Sequence, residues 1–298
     1  MEKYNDLSIN SENREKQREY YITHTSLQSA RTKKKENSEE YELLNGNWDF
    51  KYFECPQDLP DNIGLLSFSD TIPVPSCWEC YGYGQIQYTN INYPFQYDPP
   101  YTETLNPVGV YSRDFYAQKD LGKKVYVVFE GVSSYFELYI NGAYVGMSRG
   151  SHLQAEFDIT SFVKTGKNRI TCSVYTYNVE SYLEDQDCFR FHGIFRDVYM
   201  LTRPENHIQD FYIKTSPSGK VDVEATYIGE KQEFDYYILL PDGKRVKNVI
   251  DPKLWSAETP HLYELIIACN GEYIVKNIGF RTISTSAKGE LLINGVSV

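Results

Sequence analysis

The sequence predicts an all-β protein of two consecutive sandwiches, a jelly roll followed by a smaller immunoglobulin-like sandwich. Three observations carry that expectation. Short strand-like runs recur from Tyr41 onward, punctuated by Gly, Pro, Asn and Asp. Aromatics reach 15%, with 27 Tyr, and such side chains favour pleated, half-buried surfaces. No stretch between the runs sustains a helical apolar period. At 298 residues the chain is long enough for two domains, each with its own core.

Residues 1–40 are polar and charged. Ser11–Tyr21 could form a short helix, but its apolar face is weak, so an extended or loosely held arm is expected. At Tyr41 the texture changes. LLNGNWDFKYF alternates and carries Asn45-Gly46, a turn signal. Strand candidates follow at 109–117, 123–132, 135–148, 155–163 and 168–177. The clearest hairpin is YFELYINGAYVG, with Asn141-Gly142 at its tip. This series predicts a sandwich or jelly roll over 41–204. Residues 70–107 differ, being dense in Pro, Gly and Tyr with little alternation. A long loop in a compact domain is usually functional or wrapped over a neighbour. Near Thr202-Arg203-Pro204 the chain restarts. Strands such as HIQDFYIKT, FDYYILL and HLYELIIACNGEYIV, with turns at Asp242-Gly243 and Asn270-Gly271, predict the immunoglobulin-like sandwich over 205–285. Within 286–298, KGELLINGVSV begins a new hairpin.

Composition excludes several classes. A formal net charge of −11 repels phosphate backbones, so no nucleic-acid partner is expected. The basic run Arg31–Lys35 is followed at once by Glu36, Glu39 and Glu40 and reads as a solvated loop. The N-terminus lacks an apolar signal region, and no stretch approaches the ~18 apolar residues of a membrane span. Cys77-Trp78-Glu79-Cys80 has no second C-x-x-C to complete a zinc site. Reduced, unligated thiols in a cytosolic protein are therefore expected. Trp48, Trp78 and Trp255 are read as core or domain-contact residues, and His192 as a packed or exposed histidine rather than a ligand.

The stretch SYLEDQDCFRFHGIFRDVY places Glu184, Asp185 and Asp187 within four positions, with Arg190 and Arg196 following. On a strand Asp185 and Asp187 share a face about 7 Å apart, which overlaps the roughly 6.5–9.5 Å carboxyl separation of inverting glycosidases. That spacing arises wherever acids alternate on a strand, and no evident cleft would raise an acid's pKa. Clustered carboxylates are neutralised by cations or face water. Arg190 and Arg196 are candidate partners, and a hard cation such as Na+ or Mg2+ would take oxygen ligands there.

Several segments together resemble the lac-type β-galactosidases of glycoside hydrolase family 2. They are PVPSCWECYGYGQIQYTNINYPF, NPVGVYSRDF, SYLEDQDCFRFHGIFRDV, LWSAETPHLY, IGFRTI and LLINGVSV, which occur in that family's order. The resemblance covers nearly everything from residue 41 onward, and SYLEDQD followed by GIFRDV is its most specific element. It implies a jelly roll, an immunoglobulin-like domain and then a catalytic TIM barrel, which would begin just after ELLINGVSV. It further implies that the jelly roll lends two residues to the galactose site, Asn90 and Asp187. Asp187 would also ligate a sodium ion whose remaining ligands lie in the barrel. Glu184, Asp185, Arg190 and Arg196 are then read as a shell supporting Asp187. This sequence departs from the family at Cys77, Glu79 and Cys80, and at Cys188-Phe189. It also departs at Val179-Glu180, where some members carry a structural magnesium ligand.

Retaining glycosidases need two carboxyl groups about 5–5.5 Å apart, and in barrel enzymes these sit on a domain of roughly 250 residues. Only 13 residues follow Thr285. The leading expectation is thus the non-catalytic front portion of a β-galactosidase, inactive alone, whose parent hydrolyses terminal β-galactosides with retention. The rivals are a free-standing carbohydrate-binding module, the same portion of a β-glucuronidase or a mannoside-cleaving relative, and an interaction role. In the last case the aromatic stretch 70–107 would expose apolar surface and favour a homo-oligomer.

Overall fold

The computed structural model describes residues 2–89, 92–102, 105–120, 122–184 and 186–298. The chain divides into two compact units, Met1–Gln17 with Glu42–Arg203, and Arg18–Tyr41 with Pro204–Val298. No helix among the described residues is long and apolar enough to cross a membrane.

The first unit is the jelly-roll sandwich. One sheet runs in the order Ser11–Glu12, Ala143–Arg149, Tyr135–Ile140, Gly166–Tyr175, Val108–Ala117, Gly46–Phe53, Asp70–Val74. The other runs Ala155–Asp158, Lys123–Phe129, Val198–Pro204, Tyr41–Leu43. Alternation explains the layering, because every second side chain on a strand faces the same way. Phe136, Leu138 and Ile140 on one sheet meet Val127, Phe129 and Phe157 on the other within one core. Phe136 stands edge-on to Phe157 at 5.9 Å. The outer face of the larger sheet is covered too, by a cluster of Tyr4, Ile63, Val108, Val110, Tyr135, Met147 and Tyr175.

The Asn141-Gly142 tip is as expected. Both residues have positive φ, 53° and 82°, as a two-residue hairpin turn requires. Asn45-Gly46 does something else. It carries the chain from one sheet to the other, with Asn45 Oδ1 accepting from Val198 N at 3.0 Å and Nδ2 donating to Asp197 at 2.7 Å. A turn dipeptide reports the backbone it permits and leaves open which strands it joins.

Residues 1–40 are not a loose arm. In the first unit, Tyr4 packs on Tyr135 and Tyr175 at 6.3 and 5.3 Å. Buried Arg149 donates to the carbonyls of Lys3 and Asp6 at 2.9 and 3.1 Å. Ser11–Glu12 then extend the sheet, opposite Ser148 and Met147. Single anchors spaced along polar sequence give no periodic signal, which is why the segment reads as unstructured.

The second unit is the immunoglobulin-like sandwich. Strands His207–Thr215 and Val221–Ile228 form one sheet; Arg245–Val246, Phe234–Leu239, Tyr263–Cys269 and Glu272–Ile278 form another, in that order. Ile208, Val223, Ile238, Leu265, Ile267 and Ile274 fill the core between them. Tyr21 joins this core and donates to the Ile208 carbonyl at 2.6 Å. Asn270-Gly271 turns with φ of 46° and 82°. A separate three-stranded meander, Ile283–Thr285, Leu291–Ile293 and Val296–Ser297, follows.

Candidate functional site

The acid-rich stretch leaves the large sheet after Tyr175 and is fixed at its root. Buried Asn178 caps the short turn Val179–Tyr182, its side chain accepting from Glu180 N at 2.8 Å. Ser181 Oγ in return accepts from Asn178 N at 3.1 Å. This reciprocal cap satisfies donors that a free turn would leave unpaired. Beyond it, Phe189–Arg190 pair antiparallel with Gln87–Tyr88. That pairing joins the two distant segments singled out by sequence. Arg190 Nε donates to Thr89 Oγ1 at 2.8 Å, and the Tyr88 and Phe189 rings lie 5.5 Å apart.

The Tyr88 hydroxyl donates to Asp187 Oδ1. That hydrogen bond holds the Tyr88 phenol above its ordinary range, since the proton it would lose is the one being shared. Asp187 is exposed on the rim beside this pair. Asn90 and Asp185 lie outside the described residues.

The supporting shell differs from expectation. Glu184 does not brace Asp187; its two oxygens accept from Ser151 N and Ser151 Oγ at 2.8 and 2.6 Å. Arg196 donates to the carbonyls of Glu130 and His152 at 3.5 and 3.3 Å. For Arg196 the reason is a change of direction at Gly193, whose φ is +118°. Phe189–Arg190 pair with Gln87–Tyr88, whereas Gly193–Ile194 pair with Val132–Ser133. Arg196 is thereby carried to another edge.

Sequence reasoning missed two partners. One is Tyr88, inside the Pro-, Gly- and Tyr-dense stretch 70–107. The other is Glu79, buried within the C-x-x-C. Glu79 accepts from His192 Nδ1 at 2.7 Å and from His192 N at 3.1 Å. His192 stacks on Trp78 at 5.8 Å. No local pattern announces a pair 113 residues apart. Beside it opens a cavity of about 270 Å3, whose lining includes Ser133, Ser151, Glu184, Phe189, Phe191 and His192.

All six cysteines are free. Burial, with Glu79 and Cys80 adding, pushes the Cys77 thiol up to about 11 from its ordinary 9.0. The folded state then keeps this proton longer than the unfolded chain does. Its stabilising contribution is full below pH 9 and is lost as pH rises through about 11. At pH 8.5, iodoacetamide should modify the exposed Cys80 and Cys188 first, with Cys77 slower by about tenfold or more. Site-resolved mass spectrometry reads this directly, and equal rates at all three would refute the burial argument.

The cations implied by resemblance meet different surroundings. Asp187 offers one carboxylate, already shared with Tyr88, and the described residues contain no group of three or more His, Cys, Asp or Glu able to hold a metal. Val179 is buried and apolar. Glu180, raised by burial, has the guanidinium groups of Arg149 and Arg14 as its cationic neighbours. Two fixed positive charges disfavour a divalent cation there, so the magnesium of some family members does not fit these residues.

The comparisons decide the family. The profile described as "Glycosyl hydrolases family 2, sugar binding domain" matches residues 41–204, and "Glycosyl hydrolases family 2" matches 206–281. The chain belongs to glycosyl hydrolase family 2. Among family 2 relatives, a "Beta-galactosidase" of Actinobacillus pleuropneumoniae is 41% identical over 92% of this chain, and one of Staphylococcus xylosus is 37% identical over 88%. The chain spans 29% and 28% of those two proteins. Among solved structures, the β-glucuronidase of an uncultured Clostridium superposes with a TM-score of 0.66 at 22% identity, over 86% of this chain and 47% of that one. The Ruminococcus gnavus β-glucuronidase gives 0.66 at 20%, over 87% and 47%. At such identities these two speak for the fold.

Proposed function

We propose that this chain is the non-catalytic front portion of a retaining β-galactosidase, lending sugar-binding residues to an active site completed by a barrel outside it. The observation that carries the reading is the rim at Gln87–Tyr88 and Phe189–Arg190. It sets Asp187 against Tyr88, and Asn90 follows Tyr88 by two positions. A carboxylate accepts from sugar hydroxyls, while an amide both accepts and donates. Tyr88 fixes the Asp187 rotamer before a sugar arrives, which reduces the ordering cost of binding. The relatives sharing 41% and 37% identity carry the β-galactosidase name, which favours a terminal β-galactoside as substrate. A sodium ion at Asp187 would need its other ligands from outside this chain. The six free thiols suit a reducing, cytosolic setting.

The described residues form two sandwiches and no barrel, and on this reading the acid–nucleophile pair lies outside the chain. The purified chain is therefore expected to release no product from a chromogenic β-galactoside. Turnover that copurifies with the chain through three unrelated columns would overturn the reading. In a polypeptide continuing past Val298 into a barrel, Asp187→Ala is expected to lower kcat/KM by about 100-fold, or ~2.7 kcal/mol.

A further inference from the structure

The C-x-x-C at Cys77–Cys80 has no place in the function proposed above. Its two thiols are brought together by the local backbone. Cys80 N donates to the Cys77 carbonyl at 3.1 Å, closing a tight turn that runs on through Trp78–Tyr81. In such a turn positions i and i+3 share a face, and three rises of ~2.0 Å set them about 6 Å apart. A disulfide spans roughly 4.4–6.8 Å between Cα atoms. The spacing of this pair fits a cross-link.

Exposure sorts the four residues in the same way. Trp78 is buried, and the Glu79 side chain is 2% exposed. Both are anchored on His192. Trp78 N donates to the His192 carbonyl at 3.1 Å and the indole stacks on its ring, while the Glu79 carboxylate holds its backbone N–H and Nδ1. Cys77 is half-buried and Cys80 exposed. With the inward positions taken by Trp78 and Glu79, the thiols share the remaining face. A turn clamped at two points keeps them neighbours, at an effective concentration on the order of millimolar or above. The remaining thiols are placed differently. Cys172 and Cys269 are buried, Cys55 donates to Asp58 Oδ2 at 3.1 Å, and Cys188 is exposed on the rim.

We propose that Cys77 and Cys80 form a thiol redox site, a pair that closes reversibly into an intramolecular disulfide with a small-molecule disulfide as oxidant. It stands independently of the β-galactosidase reading. Burial, with Glu79 and Cys80 adding, holds the Cys77 proton, so exposed Cys80 reacts first. The Cys80 thiolate attacks RS–SR; a Cys80–SR bond forms, the reagent's S–S bond breaks and one RS− leaves. Cys77 gives its proton to solvent and attacks Cys80 Sγ; the Cys77–Cys80 bond forms and the second RS− leaves. The two protein thiols lose two electrons and two protons, and RS–SR gains both to become two RSH. The pair also sits where the two rim strands are anchored. The chain runs on from it to Gln87–Tyr88, and Glu79 grips His192 just past Phe189–Arg190.

The test uses the intact chain. It is incubated with oxidised glutathione until its composition is constant, quenched in acid, alkylated with iodoacetamide under denaturing conditions and mapped unreduced by mass spectrometry. Cys77 and Cys80 should be joined to each other, lighter by two hydrogens and unalkylated, while Cys188 carries a glutathione adduct. At about 0.1 mM displaced glutathione, an effective concentration on the order of millimolar leaves the Cys80 adduct about tenfold below the closed form. Dithiothreitol should restore both thiols. Cys77→Ser should leave glutathione standing on Cys80, and the mapping of the unsubstituted chain stands alone if that variant does not fold. A lasting Cys80 adduct beside a free Cys77 overturns the proposal, as does a pair in which neither thiol is oxidised. So does any other pairing, above all Cys77 with Cys188, since both line the cavity beside His192. A long-range 1H–15N spectrum supplies a check without substitutions. The ring resonances of His192 should move on oxidation and return on reduction, while those of His24 and His261 stay still. A static His192 would show that the disulfide forms elsewhere than in this turn.

Discussion

Trp78→Ala is expected to destabilise the first unit by about 3–5 kcal/mol, the range for removing a large buried aromatic. Trp78 is 1% exposed. Its ring meets Tyr52 edge-on at 5.9 Å, Phe50 at 6.4 Å and the face of His192 at 5.8 Å. The strand opposite has been shaped to fit it. A Cβ on Gly109 would lie 2.6 Å from two carbons of the indole, so glycine there lets the ring lie against the backbone. Neighbours cut to that shape cannot collapse into the space left by alanine, and unfilled space adds its own cost. Small domains hold only about 5–15 kcal/mol of stability in total. Urea unfolding followed by far-ultraviolet circular dichroism should show a large fall in midpoint. A loss under 1 kcal/mol would mean that the indole is not central to this core. His192 would also lose its stacking partner, so its Nε2 resonance should broaden.

Gly193→Ala is expected to cost about 2–6 kcal/mol, from two sources that can be separated. The backbone at φ +118° is one that side chains rarely adopt, worth about 1–3 kcal/mol. The new Cβ would also lie 2.5 Å from the hydroxyl of fully buried Tyr111 and 3.1 Å from the Ser76 carbonyl, and such overpacking costs about 1–3 kcal/mol. Tyr111→Phe removes the nearest obstacle. The double variant should recover part of the loss, with a coupling of about 0.5–3 kcal/mol. Strict additivity would place the whole effect in the backbone. Either way the turn that separates the two short strand pairs shifts, and Tyr88 is expected to lose its register with Phe189.

The fold was legible where the signal is local. Phe136, Leu138 and Ile140 alternate because one face meets another sheet. Asn141-Gly142 and Asn270-Gly271 mark hairpins because few residues tolerate positive φ at both positions. Asn45-Gly46 misleads for the same reason, since the dipeptide permits a bend without naming the strand beyond it. The rim was half legible. Asp187 and the segment before Asn90 stand out as motifs, but Tyr88 earns its place only through a partner 99 residues away. Glu184 and Arg196 illustrate the converse error. Charges close in sequence are read as partners, yet Glu184 accepts from Ser151, and the turn at Gly193 sends Arg196 to backbone carbonyls. Glu79 and His192 were illegible, because neither has a nearby residue that betrays its burial.

The seating of Tyr4 has a consequence for how the protein is born. Its ring partner Tyr175 leaves the ribosome about 170 residues later, which at ~5–20 residues per second is roughly 10–30 s. Throughout that interval Tyr4 lacks this partner, and the segment around it is open to chaperones and peptidases. A segment made well ahead of its packing partner thus finds its place late.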